Sequence, residues 1–149
     1  MDETTSDLYT LTYESKSIGT PTYWEMEELL TQSRNRNKLD GITGCLIYYM
    51  GIFIQVLEGD KFNVLRLFKI IKKDERHRAV HLFSDDRIEE RNFPDWTMGY
   101  CAFDNGNKNL KELNHFKKNL SLFADLSVSK NITANLFWRR VKFLLTSPA

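Results

Sequence analysis

Two apolar runs, Ile42 to Tyr49 and Ile52 to Glu58, flank the dipeptide Met50-Gly51, and this feature constrains the fold most. Each run has strand length and is rich in Ile, Val, Tyr and Phe, and a two-residue break ending in glycine reads as a hairpin turn. Along the second run Ile52, Ile54 and Val56 point one way and Phe53 and Leu57 the other. Both faces are apolar, so a sheet built on this hairpin must be covered on both sides.

The flanking segments supply that cover. Leu8 to Tyr13 alternates as a strand, with Tyr9, Leu11 and Tyr13 on one face. Thr20-Pro21 has the form of a cap followed by a first-turn proline and predicts a helix from about Pro21 to Asn35. Its stripe Met26, Leu30, Ser33 and Asn37 begins apolar and ends polar. Asp60 is placed to cap a second helix, Lys61 to Lys73, with Phe62, Leu65, Phe68 and Ile71 inward. Val80 to Ser84 and Trp96 to Phe103 read as further strands. The order βαββαββ predicts an α/β (α+β) fold, a ferredoxin-like sandwich with both helices on one face of a mixed sheet. A C-terminal helical extension is predicted to cover the other face, through the stripes Leu110, Leu113, Phe116, Leu120 and Ile132, Leu136, Phe137, Val141, Leu144. Asp104 to Asn109, rich in Asn and Gly, divides a domain at 8–103 from an extension at 104–149.

Gln55 breaks the pattern. It lies mid-strand between Phe53 and Leu57, on the face turned to the two helices. A primary amide buried there without partners costs roughly 1–3 kcal/mol. It is either bonded to neighbouring backbone or turned to a polar ligand held between sheet and helices. Tyr13 and Asn37 bring two more polar tips toward the same space.

Charge and cysteine usage exclude several classes. Lys and Arg number 21 against 20 acidic residues, a net charge of +1 in 149 residues, without the basic footprint of a duplex-nucleic-acid binder. No stretch of about 18 apolar residues is present to cross a bilayer, and the opening Met1-Asp2-Glu3-Thr4-Thr5 has no apolar signal core. Cys45 and Cys101, far apart, fit neither a disulfide framework nor a metal site. A reduced, cytoplasmic protein is expected, with no metal and no nucleic-acid or membrane partner.

Asn37-Lys38-Leu39-Asp40-Gly41-Ile42-Thr43-Gly44, Phe53-Ile54-Gln55-Val56-Leu57-Glu58-Gly59, Asp74-Glu75-Arg76-His77 and Phe93-Pro94-Asp95-Trp96-Thr97-Met98 together resemble the BLUF family, blue-light sensors that use FAD. Tyr13-Glu14-Ser15 matches the family's Tyr-x-Ser, and the likeness runs from about Leu8 to Tyr100. The resemblance implies a photoreceptor rather than an enzyme. In it Tyr13 would give an electron and a proton to the photoexcited flavin, and Gln55 would bridge that tyrosine and the ring edge. Rearranged hydrogen bonds at Gln55 would then give a red-shifted signalling state. Asn37 would hold the ring's C4=O and N3–H, Met26, Leu29 or Leu30 would pack on it, and Arg36 stands where the family varies. Asp74, Arg76 and His77 would lie near the ribityl and phosphate end. Trp96 and Met98 would relay the signal, either one facing Gln55. The pocket fits FAD, FMN or riboflavin alike. A separate downstream protein and a homo-oligomer, dimer or larger, are implied as partners.

Two other classes use such a sandwich. An RNA-binding module would need a matching aromatic and basic pattern, which Gly51-Ile52-Phe53-Ile54 only faintly echoes. A phosphate-handling hydrolase would need a glycine-rich cradle, and Lys16-Ser17-Ile18-Gly19 gives none.

Overall fold

The computed structural model describes residues 7–95, 97–103 and 131–146. Its elements in chain order are β1 (Leu8–Ser17), α1 (Tyr23–Asp40), β2 (Thr43–Tyr49), β3 (Ile52–Asp60), α2 (Lys61–Lys72), β4 (His77–Arg87), β5 (Gly99–Phe103) and α3 (Ile132–Thr146). The five strands make one sheet in the order β4-β1-β3-β2-β5. β3 runs antiparallel to both β1 and β2, and β1 antiparallel to β4, while β5 lies parallel to β2. Two split βαβ units interlock here: β1 and β2 are parallel with β3 between them, and β3 and β4 are parallel with β1 between them. The sheet is mixed and ferredoxin-like, as the element order predicts.

Local chemistry sets the elements. Met50 and Gly51 both take positive φ, 46° and 83°, the primed turn whose twist suits a tight hairpin. A Cβ on Gly44 would collide with the Val56 carbonyl oxygen, so β2 and β3 close on one another only with glycine there. α1 starts two residues later than the Thr20-Pro21 signal predicts. Thr22 is its cap, with a reciprocal bond pair to Glu25, so Pro21 precedes the helix instead of opening it. The helix also runs beyond Asn35, to Asp40, ending where Gly41 turns left-handed at φ 67°.

α2 buries Val64, Leu67 and Phe68, and Phe62 is 70 % exposed, so its inward stripe is rotated from the predicted one. Asp60 caps it as predicted, accepting from the Phe62 N–H. The rotation follows from that cap: Phe62 falls at the second helical position, on the outer side of the entry turn.

Two cores lie on the two faces of the sheet. Leu11, Tyr13, Met26, Leu30, Leu46, Phe53, Leu57, Val64 and Met98 pack under α1 and α2. Cys45, Ile47, Ile54, Val56 and Phe93 pack with Ala134, Phe137, Val141 and Leu144 of α3 on the other. Ile132, predicted to face inward, is 64 % exposed, and Thr133 and Ala134 are buried in its place. Arg140 is not a free surface cation: its guanidinium forks onto Glu14 of β1 at 2.6 and 3.0 Å. Tyr23 and Trp24 stack edge to face on the outside of α1, 68 and 77 % exposed. The Leu110–Leu120 stripe and the boundary at 104–109 lie outside the described residues.

Candidate functional site

Tyr13 and Gln55 are direct partners across the β1–β3 ladder, so their side chains rise side by side. The Tyr13 hydroxyl donates to Gln55 Oε1 across 2.5 Å, and Gln55 Nε2 donates to Met98 Sδ at 3.3 Å. A phenol proton requires an oxygen and a thioether requires a donor, so these two neighbours fix which end of the amide faces which. Turning the amide by half a turn would set Oε1 against Sδ, two acceptors with no proton between them. Gln55 is only 6 % exposed, which makes the distinction costly to ignore.

The end of α1 brings in the next group. Asn37 lies in the last turn, its carbonyl capped by the N–H groups of Gly41 and Ile42. Its Nδ2 donates to the Thr97 carbonyl at 2.6 Å, and Arg34 Nε, one turn earlier, donates to the Met98 carbonyl at 3.1 Å. α1 thus grips two successive carbonyls just ahead of β5.

At the start of β4, His77 is held from both sides. Its Nε2 lies 2.6 Å from the Ile71 carbonyl, which can only accept, so that nitrogen carries the proton. In the neutral ring Nδ1 then accepts from the Ser15 hydroxyl, 2.6 Å away. The ring stands edge-on to Tyr13 and to Phe53, at 6.3 and 6.4 Å. Arg76 folds back on Asp74 through Nε and Nη2, the latter at 2.6 Å.

These groups line one cleft between the sheet and the two helices, with about 700 Å³ of empty space including its open mouth. Leu29, Leu46, Phe53, Leu67, Ile70 and Ile71 form apolar walls, and Gln32, Ser33, Arg36, Asp74, Arg76 and His77 add polar groups. The size and mixture are those of a small-molecule site. Burial, then the Asp74 carboxylate, pushes the Tyr13 phenol above its ordinary 10, so it remains a proton donor at neutral pH. The Arg76 side chain holds Asp74 below the usual carboxylate range.

Donors and acceptors remain for a ligand. Gln55 commits one of its two amide protons, and Asn37 one proton, to described protein groups. Their spare N–H groups and Asn37 Oδ1 suit a flat heterocycle whose edge alternates carbonyl and N–H, and the apolar walls suit its faces. Among the described residues no group of three or more His, Cys, Asp or Glu is placed to hold a metal ion. No described helix is long and apolar enough to cross a membrane.

A ferredoxin-like frame with a phenol–amide pair at the floor of a cleft defines a small-molecule-binding domain more readily than a nucleic-acid platform. The chain belongs to the BLUF family, sensors of blue light using FAD, whose sequence profile matches residues 8–99. It is 35 % identical over 94 residues to a photoactivated adenylate cyclase subunit beta of Euglena longa, 62 % of this chain and 11 % of that one. The chain therefore spans about a tenth of the length of such relatives. The BLUF protein BlrB, in its dark state, superposes with a TM-score of 0.68 at 28 % identity, covering 95 % of this chain and 98 % of BlrB. BlrP1 of Klebsiella pneumoniae, solved with FMN and cyclic diGMP, gives a TM-score of 0.66 at 26 % identity, covering 93 % of this chain and 35 % of BlrP1.

Of the residues singled out from sequence, Tyr13, Asn37, Gln55, Arg36, Asp74, Arg76 and His77 line the cleft. Met98 joins them through the Gln55 amide. Met26 and Leu30 lie in the core under α1, and their neighbour Leu29 lines the cleft instead. Trp96 lies outside the described residues. Leu67 and Ile70 escape the sequence reading because the α2 stripe was placed one step round. Arg34 carries no sequence signal, since its partner is a main-chain carbonyl 64 residues away.

Proposed function

We propose that this chain is a blue-light photoreceptor that binds an oxidised flavin in the cleft and signals through the Gln55 amide, without turning over a substrate. The reading rests on one observation above all: the buried Tyr13 Oη–H to Gln55 Oε1 bond at the cleft floor. When bound, the flavin supplies absorption of blue light and an acceptor for one electron and one proton. The chain's own groups do the rest.

Tyr13, held as a phenol by its burial, offers both electron and proton. Its Oη–H lies on Gln55 Oε1, so loss of that proton removes the group that orients the amide. Gln55 then reorganises, and its carbonyl end meets Met98 Sδ, which must give way. Met98 leads directly into β5, which gives the rearrangement a route out of the cleft. Trp96 is a second relay candidate two residues upstream. Met26, Leu29 or Leu30 would support the ring from α1, Asn37 and Arg36 would meet its polar edge, and Asp74, Arg76 and His77 the ribityl and phosphate end. FAD, FMN and riboflavin share the ring that this pocket grips.

A division at 8–103 and 104–149 would put the light-sensing part first. The output would then pass to a separate cytoplasmic protein or to another copy in a homo-oligomer, with no nucleic acid or membrane as partner. The test is optical. The purified chain, reconstituted with flavin, should be yellow and show a small, reversible red shift under blue light, and Gln55→Leu should bind flavin without that shift. A colourless chain, or a shift that survives Gln55→Leu, would overturn the proposal.

A further inference from the structure

Glu58 is 0 % exposed, the sole fully buried carboxylate among the described residues. Nothing in the light-driven chemistry uses it, for it points to the α3 face, opposite Gln55 on the same strand. Its desolvation is costly unless donors surround it, and three do. The Phe93 N–H reaches Oε1 at 2.8 Å, and the Asn92 N–H and Nδ2 reach Oε2 at 2.8 and 3.1 Å. Burial still raises its pKa against these donors and the nearby Arg91 charge, so every one of the bonds matters to the charged form. Arg91 completes the clamp: Nη1 donates to Thr43 Oγ1 and to the Glu58 carbonyl, and Nη2 to the Gly41 carbonyl.

The clamped residues begin a strap, described at 91–95 and 97–98, whose two ends lie in the two cores. Phe93 sits in the α3 core, its ring edge-on to Phe137 at 6.2 Å. Met98, five residues on, sits in the helix-covered core with its sulfur on the Gln55 amide. Arg34 and Asn37 hold the far end by the Met98 and Thr97 carbonyls. A segment so short, fixed at both ends, has little slack with which to move its sulfur aside.

We propose that Glu58 is a positioning residue of the photochemical site: by clamping Asn92 and Phe93 it fixes the strap and holds Met98 Sδ against Gln55. The effect on light signalling rests on the flavin reading above; the placement of Met98 does not. With the strap clamped, an amide turned carbonyl-first toward Met98 opposes an acceptor that gives way only against the clamp, and the lit arrangement is short-lived. Loosening the clamp lets the sulfur withdraw and prolongs it.

Glu58→Gln keeps the shape but turns one acceptor oxygen into a donor among donors. Two measurements on the full-length protein decide the matter. In the dark, the methyl NMR signal of Met98, labelled with carbon-13, should shift or broaden in Glu58→Gln, and amide exchange at 91–98 should rise. After a blue-light pulse, the variant reconstituted with FAD should return to the dark spectrum about ten-fold more slowly than the parent. Thr22→Ala, which removes the N-terminal cap of α1, outside both the cleft lining and the strap, should lower Tm without slowing recovery. Asn92→Ala removes only the Nδ2 bond and provides a milder variant should Glu58→Gln fail to fold; it should move both readouts in the same direction by less.

An unchanged Met98 signal in variants of both residues would overturn the positioning role whatever the photochemistry. Recovery within two-fold of the parent, or equal slowing in Thr22→Ala, would overturn its effect on the lit state. A parent with no light response and a shifted Met98 signal would sink the flavin reading and leave the positioning role standing.

Discussion

The two faces of the sheet are made from alternate residues of the same strands, yet they have been put to opposite uses. On the α3 face, Ile54 and Val56 meet Phe137 and Val141 in a closed apolar layer. On the other face, Phe53 and Leu57 flank Gln55, and the helices leave a cleft of about 700 Å³ beside it. Polar groups on the α3 face are closed on partners within the protein: Thr10 and Thr12 donate to the Leu57 and Gln55 carbonyls at 2.9 and 2.8 Å, Asp86 takes Thr133 Oγ1 at 2.5 Å and Asn131 Nδ2 at 3.0 Å, and Arg140 forks onto Glu14. On the helix face they sit at the floor. The difference teaches that a buried polar group surrounded by fixed partners serves as a fastening, whereas one left with spare donors beside a cavity is available for a ligand. Glu58 is of the first kind and Gln55 of the second.

The comparison breaks or sharpens under substitution. Tyr13→Phe removes the phenol proton and almost nothing else. It should leave flavin bound and reduce the yield of the red-shifted state by about 100-fold or more, a loss on the order of 3 kcal/mol in rate terms, read by flash spectroscopy. Phe137→Ala should cost about 3–5 kcal/mol of stability in denaturant melts, by opening a cavity in the closed layer, with flavin affinity changed far less. Equal damage to both would show that the faces do not act separately. Asn37→Ala deletes the bond to the Thr97 carbonyl and a cleft-lining amide. Roughly 1–3 kcal/mol should be lost, and flavin binding should weaken in fluorescence titrations.

Two smaller effects concern charge. The Tyr13 phenol titrates above the 10.0 of an unfolded tyrosine because burial disfavours its anion. The folded state therefore holds a proton that the unfolded chain gives up, so this contribution is complete below pH 10 and is lost as pH rises beyond it. Denaturant melts across the alkaline range should show that decline in the parent, and a shallower one in Tyr13→Phe. Arg140→Ala leaves Glu14 without its fork, at side-chain exposures of 31 and 18 % for the pair. About 1–2 kcal/mol should be lost, between a surface pair and a buried one, with the cleft spectrum unmoved. A changed spectrum would mean that β1 carries strain through the sheet from Glu14 to Tyr13.

Much of the site was legible before any coordinates. Gln55 declared itself as an amide in an apolar alternation, and Tyr13 and Asn37 as polar ends of apolar stripes, because strand and helix periods are local properties of the chain. Their direct pairing across the ladder was not legible, since register depends on where β1 meets β3. Met98 stood in sequence as one of two equal candidates beside Trp96; its contact with the Gln55 amide 43 positions earlier exists only once β5 lies beside β2. Glu58 looked like the last residue of a strand, and only folding brings Asn92 and Phe93 onto it.

By itself the sequence determined the order of elements, the hairpin at Met50-Gly51, a sheet that needs two covers, and which residues could not be plain core. Those properties follow from periods of two and 3.6 residues and from turn chemistry, all read within a few positions. Tertiary structure decided where α1 ends, which stripe of α2 turns inward, that Arg140 belongs to Glu14, and which partners satisfy each buried polar group. The reason is physical: a buried donor or acceptor must be met by whatever the fold brings to it, and those partners lie tens of residues away along the chain.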